Sequence, residues 1–258
     1  MDDFHLSFLF GLDDLHPMLL AESGRIVSDD MYVPSAIYTA DENAGLMRHR
    51  SMKLMDLLLE DVPHPQYLEH VAMNFFDRYM CFNKDLMNNG DFEIVDSVMI
   101  GCIVTAARIM DLKLSTAQLV ANKHGLKEKQ ESLDNWARVT AAEFDHIIPT
   151  DKFLDAFLED VVTEFKLNID IAKILKALAY RYAIISSKNV IALVGFRPSM
   201  LAASAVLVAV KILVEEHYFF ARARIFRICV ILGLNEVELK NCVLQISQYC
   251  SSAIISSL

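Results

Sequence analysis

One thirteen-residue stretch, Val98–Met110 (VMIGCIVTAARIM), constrains the fold more than any other. It carries no charge before Arg108, and Gly101, Cys102, Ala106 and Ala107 are small. At helix pitch it rises about 20 Å. A helix that is apolar all round belongs inside a protein, and small residues along it let neighbours approach closely. The pattern therefore predicts a central buried helix. It returns in Leu201–Leu213 (LAASAVLVAVKIL), in a register 103 residues on that sets Val98 against Leu201 and Arg108 against Lys211. All thirteen pairs agree in type. The same register sets Asp77-Arg78-Tyr79 against Tyr180-Arg181-Tyr182, so two successive elements recur without a gap. Such a recurrence predicts two helical bundles of one plan, each around its own buried helix.

Composition agrees. Hydrophobic residues make up 54% of the 258, which is enough for a large core. Only eight Gly and six Pro interrupt the chain, so helices are favoured over strands. Pro198–Val210 is uncharged but shorter than the roughly 20 residues that cross a bilayer. The acidic start, MDDFHLSFLFGLDDLHPM, does not read as a signal peptide, which begins basic. A net charge of −10 argues against a nucleic-acid or anionic-membrane partner. The five Cys (Cys81, Cys102, Cys229, Cys242, Cys250) form no CxxC pair and read as reduced thiols of a cytosolic or nuclear protein.

In chain order, residues 1–29 are an irregular, acidic lead-in with apolar anchors such as Phe8, Leu9 and Phe10. Val33-Pro34-Ser35 reads as a helix start, with an end near Gly45. Arg50–Val62 carries Leu54, Leu57, Leu58 and Val62 at helical spacing. Tyr67–Phe82 has Val71, Phe75 and Tyr79 on one stripe. Asn83–Asp91 is a polar loop before the first central helix. Ser115–Lys123 is a short helix capped by Ser-Thr, and Lys127–Asp145 turns Leu133, Trp136, Val139, Thr140 and Phe144 toward a core. After a boundary at His146–Thr150 come Thr150–Phe165 with Thr150 as N-cap, Ile169–Ser186, the second central helix at Leu201–His217, Tyr218–Leu232, and Leu234–Cys250. That last helix has Asn235 as N-cap and Glu238 three residues on.

Catalytic motifs are missing. No phosphate-binding glycine loop, nucleophile elbow or zinc spacing occurs. Glu143-Phe-Asp-His146 is a lone E-x-x-H, whereas a di-iron bundle needs two such motifs and two further Glu. His5, His16, His49, His64, His70, His124 and His217 are scattered among acidic or loop residues and read as surface histidines. With no catalytic, metal or cofactor set, the pattern is that of a binding module. The twelve Met sit mostly on apolar stripes and read as core filling. Arg108 and Lys211 each stand near the end of a buried helix. One reading is a snorkelling cation that complements the helix C-terminus, and physics alone favours it. The other is a contact to a partner's acid or backbone carbonyls.

The residues also resemble a family. Ala72-Met73-Asn74-Phe75-Phe76-Asp77-Arg78-Tyr79-Met80 resembles the cyclin segment A-x-N-[YF]-[LF]-D-R-[FY]-L. Val104–Arg108 (VTAAR) is similar to the [LV]-[LV]-A-S-K that ends the central helix of a cyclin box. Phe144–Thr150 (FDHIIPT) is similar to the F-[DN]-L-A-A-x-T that joins the two boxes. Arg197–Ala203 resembles the P-P-S-M-[VI]-A-A of D-type cyclins, and Pro34-Ser35-x-x-Tyr38 their start. The matches run in order over roughly residues 30–250. The resemblance implies an all-α tandem cyclin-box fold, two five-helix bundles. Residues 1–45 would form the lead-in and a helix, 46–148 the first box and 149–258 the second. It also implies a non-enzymatic subunit that binds and activates a cyclin-dependent kinase by pressing on the kinase's mobile helix, with D-type-like control of G1/S.

Site residues follow from the same resemblance. A Lys at the end of the central helix and a Glu on the last helix of the first box anchor the kinase. Arg108 holds the Lys position, and Asn135 the Glu position, with Asp134 and Glu131 near. The docking helix M-R-x-[IL]-[LV] is matched to Ser51–Met55, giving Met52, Lys53, Leu54 and Leu57 as interface residues. In a gapless register the docking Arg falls on Ser51 and the Trp that follows it on Leu57. Asp77 and Arg78 are structural, Asp77 seeking an ion-pair partner in Arg50 or Lys53. Met18-Leu19-Leu20-Ala21-Glu22 stands where D-type cyclins carry L-x-C-x-E, which bears on retinoblastoma-like substrates. Nuclear and cytoplasmic residence is implied. The alternative is a cyclin-box adaptor that works without a kinase.

Overall fold

The computed structural model describes residues 42–62, 65–83, 86, 91–121, 129–144, 150–189, 196–231 and 234–255. They form ten helices, and the chain divides into two compact units with the division at residues 147–148.

The first unit holds α1 (Glu42–Leu59), α2 (Pro65–Phe82), α3 (Phe92–Ile109), α4 (Thr116–Val120) and α5 (Gln130–Phe144). Helix α3 is the centre, and α1, α2 and α5 pack on it. Asp91 caps it, its carboxylate accepting from the N–H groups of Glu93 (3.0 Å) and Ile94 (3.3 Å). Val98–Ile103 and Thr105–Ala107 are buried. Gly101 is required by packing: a Cβ there would lie 2.7 Å from Thr140 Oγ1 and 3.0 Å from the Trp136 carbonyl oxygen. The missing side chain is what lets α5 lie so close to α3, and Thr105 and Thr140 pair their hydroxyls at 3.3 Å across the contact.

The second unit holds α6 (Thr150–Glu164), α7 (Ile169–Asn189), α8 (Pro198–Leu213), α9 (Glu215–Ile231) and α10 (Glu236–Ile255). Helix α8 is buried from Pro198 through Val210, against α6, α7, α9 and α10. The order of elements follows the repeat register. Moved by 103 positions, α1, α2, α3 and α5 overlap α6, α7, α8 and α10. The two plans part at the fourth element, which is five residues in α4 and 17 in α9.

Several sequence expectations shift. Helix α1 runs straight through Gly45, where a helix end was expected. Thr150 is the first residue of α6 and is buried, and it is not a flanking cap. Helix α8 begins at Pro198, well suited to a first turn, and ends at Leu213. Val214 leaves the helical conformation (φ −138°, ψ 59°), and Glu215 and Glu216 favour a new helix N-terminus there. His217 therefore belongs to α9. Val139 is half exposed on α5, not in the core. His70 is buried beside Asn74, 3.2 Å away, so it is a core histidine, not a surface one. Ser115 does cap α4, in a reciprocal box with Gln118, and Asn235 accepts from Val237 N at 2.9 Å to start α10. Cys102, Cys229 and Cys242 are buried free thiols. The lead-in, Pro34–Tyr38, Met18–Glu22, His146 and the Glu143 side chain lie outside the described residues.

Candidate functional site

The end of α3 is shaped by its own backbone. Met110 N–H still bonds to the Ala106 carbonyl, Asp111 N–H bonds to Arg108 O (3.1 Å), and Leu112 N–H reaches Ala107 O (2.8 Å). This is a Schellman ending, and it puts Asp111 at φ 56°, where glycine is usual. The chain turns away sharply after Arg108 and leads into the five-residue helix α4. An open groove of about 830 Å³ remains between α3, α4 and α5. Arg108 stands on its wall from the last turn of α3, exposed, with Asp111 and Lys113 beside it. Asp134 and Arg138 face it from α5. Val104, Leu112 and Ala137 supply apolar lining. The groove thus pairs an apolar floor with cations and carboxylates on both walls, as protein-recognition sites do.

The expected residues divide. Arg108 and Asp134 share the groove. Asn135 and Glu131 are exposed on α5 but do not line it. Arg138, which the sequence reading missed, both lines the groove and donates to the Asn135 side-chain carbonyl. Asn135 therefore presents a hydrogen-bonded amide where the resemblance implies a free acid. Only the i, i+3 spacing of Asn135 and Arg138 could have signalled this.

Helix α1 corrects the docking-helix register. Asp77 is paired neither with Arg50 nor with Lys53. Arg48 reaches it through two bonds, Nε to Oδ1 at 2.9 Å and an Nη to Oδ2 at 3.0 Å, with both side chains almost wholly buried. Its other Nη lies 3.4 Å from Met52 Sδ. The arginine that meets Asp77 is therefore Arg48, preceded by Met47 and three residues before Ser51. The geometric reason is burial: Arg48 lies on the inner face of α1, whereas Arg50 and Lys53 are exposed. Arg50 points outward instead, pairing with Asp96 (2.8 Å) and stacking over Phe92 at 4.7 Å. The hydrogen bond to Asp96 raises the Arg50 pKa further. Met52 and Leu54 are half-buried, Lys53 is exposed, and Leu57 is 50% exposed. Leu46, 58% exposed, shares the outer face of α1 with Leu57, and the exposed Arg50 and Lys53 stand between them. Arg78 is half-buried on α2.

In the second unit an ion-pair cluster ties α9 to α6. Arg224 of α9 clamps Asp160 of α6 at 2.7 and 2.8 Å and reaches Glu164 at 3.1 Å. The bond to Asp160 raises the Arg224 pKa. Lys211, the counterpart of Arg108, lies over the Tyr218 ring at 5.6 Å. Among the described residues no group of three or more His, Cys, Asp or Glu could hold a metal ion, and no helix is long and apolar enough to cross a membrane.

Residues 152–257 match the family model of the cyclin C-terminal domain. That segment is the second unit almost entire. The second unit is thus similar to that domain, and the all-helical architecture of each unit, five helices with one buried at the centre, is that of the cyclin-box fold. No curated protein matches the chain.

Proposed function

We propose that the chain is a kinase-binding regulatory subunit, and that the groove at the end of α3 is where the first unit meets a cyclin-dependent kinase. The observation that carries this reading is the meeting of Arg108 and Asp134 on one groove, beside a cyclin-domain match on the other unit. Arg108 offers a planar fork able to hold a carboxylate or two backbone carbonyls of the kinase helix. The apolar floor would accept that helix's packing face. Binding favours the kinase conformation that fits the groove, which is how a non-catalytic partner raises activity. The D-type-like segments favour control of G1/S, with retinoblastoma-like substrates and residence in nucleus and cytoplasm. The outer stripe of α1, Leu46, Lys53, Leu54 and Leu57, would recruit substrates.

A second reading is favoured by Asn135. Its carbonyl is engaged by Arg138, so the acid of the usual anchor pair is replaced by an amide held to a cation. A chain lacking that anchor could act as a cyclin-box adaptor without a kinase. Co-elution with a panel of purified cyclin-dependent kinases, followed by phosphorylation assays on histone and a retinoblastoma fragment, separates the two. A complex with gained activity is the expected result. Failure of every kinase to co-elute would establish the adaptor reading instead.

A further inference from the structure

The second unit carries a surface that its fold does not use. On α9, Phe219, Arg222, Phe226 and Val230 follow one another at steps of three and four residues, so they share one face. Phe219 is 71% exposed and Val230 about half, and Phe220, packed edge-to-face on Phe219 at 5.8 Å between ring centres, is 65% exposed. On α10, Val237, Lys240 and Leu244 repeat the spacing, with Val237 63% and Leu244 57% exposed. Lys240 Nζ lies 6.0 Å from the Phe226 ring centre, which sets the two stripes side by side. This concentration of large exposed apolar groups on two adjacent helices is unusual for a surface without a partner.

The charge on this face says what fits it. The chain as a whole carries −10, yet here the projecting charges include Arg222, Arg227 and Lys240. Lys240 is held by Glu236 one turn earlier. Arg222 makes no ion pair among the described residues. Its guanidinium carbon lies 5.3 Å from the Phe226 ring centre, and the side chain is exposed. An arginine stacked on an aromatic and lacking a carboxylate is a preorganised acceptor site for one. Aromatic and Arg side chains are also the types that dominate binding energy at interfaces. The stripe from Phe219 to Val230 runs about 16 Å at helix pitch, and a partner helix offers anchors at the same interval.

We infer that the α9–α10 face, centred on Phe219, Arg222, Phe226 and Lys240, docks an acidic amphipathic helix of a partner protein. Apolar side chains of that helix seat on Phe219, Phe226, Val230 and Val237, and an Asp or Glu on its flank takes Arg222. This surface is on the second unit and is independent of the kinase groove.

The test is selection from a displayed library of helical peptides on the full chain, with counter-selection against the Phe219→Ser/Arg222→Glu variant. Circular dichroism and thermal melting of that variant should match the parent, since both side chains project into solvent. A single Arg222→Gln variant provides a second, milder probe. The expected winners are net acidic, with Leu or aromatic residues at i, i+3/i+4 and i+7. Measured by fluorescence anisotropy, they should bind at least tenfold more weakly to either variant and weaken further as salt rises. Winners that are neutral or basic, or that bind the variants equally well, would overturn the proposal. So would loss of self-association by the double variant in sedimentation, which would make a second copy the occupant. Competition for the same residues by anionic phosphatidylserine vesicles or a single-stranded oligonucleotide, with no peptide selected, would overturn it in favour of those ligands.

Discussion

Arg108 and Lys211 hold the same position at the ends of two helices built on one plan, and they end in different surroundings. Arg108 stands on the wall of an open groove with Asp134 and Arg138 opposite. Lys211 lies over the ring of Tyr218, on the helix that follows after a single residue. The fourth elements differ too. In the second unit Arg224, on the 17 residues of α9, clamps Asp160 of α6. In the first unit α4 spans five residues, and Leu57, which holds the register position of Asp160, is half exposed. The repeat preserves the core and varies the periphery.

The two copies also differ in how they tie their first two helices. Arg48 and Asp77 form a buried ion pair in the first unit. The register positions in the second are Asp151 and Tyr180. There the Tyr180 hydroxyl donates to Asp155 at 2.8 Å, and burial first, then Asp155, raises its pKa. Asp77→Ala would strand a buried guanidinium and should cost about 3–5 kcal/mol by urea denaturation. Tyr180→Phe removes one surface bond and should cost far less. Comparable losses would show that the two ties are equivalent.

Gly101 gives the next largest effect. Gly101→Ala drives a methyl into Thr140 and should cost about 1–3 kcal/mol. Its register partner is Ser204, already bearing a Cβ within the core, so Ser204→Ala should leave stability nearly unchanged. The same denaturation series measures both.

Acid should then distinguish the units. Burial lowers the His70 pKa to about 4, so the folded protein keeps the imidazole neutral. The unfolded chain takes up its proton near pH 6.5. Stability from this group is therefore complete above pH 6.5 and falls as pH drops toward 4, by about 2 kcal/mol between pH 7 and 5. The register partner is Lys173, which is exposed on α7. Hydrogen exchange at pH 5 should thus show α2 loosening before α7, and uniform loosening would count against a His70 origin. The smallest effect concerns the groove rim: Asp111→Gly relieves a left-handed backbone and should stabilise by roughly 0.5–1 kcal/mol.

Much of this was legible in the chain itself. The two central helices declared themselves through all-round apolarity, and the register predicted the order of the elements around them. Ser115 and Asn235 were readable as caps because local hydrogen bonds fix them. What escaped depends on tertiary context. His70 looks polar in sequence, yet it lies on the inner stripe of α2. Arg48 and Arg50 are two residues apart, and only packing decides that the first turns inward to Asp77 and the second outward to Asp96. Asn135 could be placed by counting, but its engagement by Arg138 could not. The groove itself is lined from three helices distant in the chain, and such a meeting leaves no motif to find.

The most direct test of the account is a paired charge reversal on the kinase complex. Arg108→Glu should abolish co-elution with the kinase while circular dichroism and melting stay as in the parent. Lys211→Glu, at the matching position of the second unit, should co-elute undiminished. Retention of the complex by Arg108→Glu, or its equal loss in Lys211→Glu, would contradict the claim that the open end of α3 is the binding site.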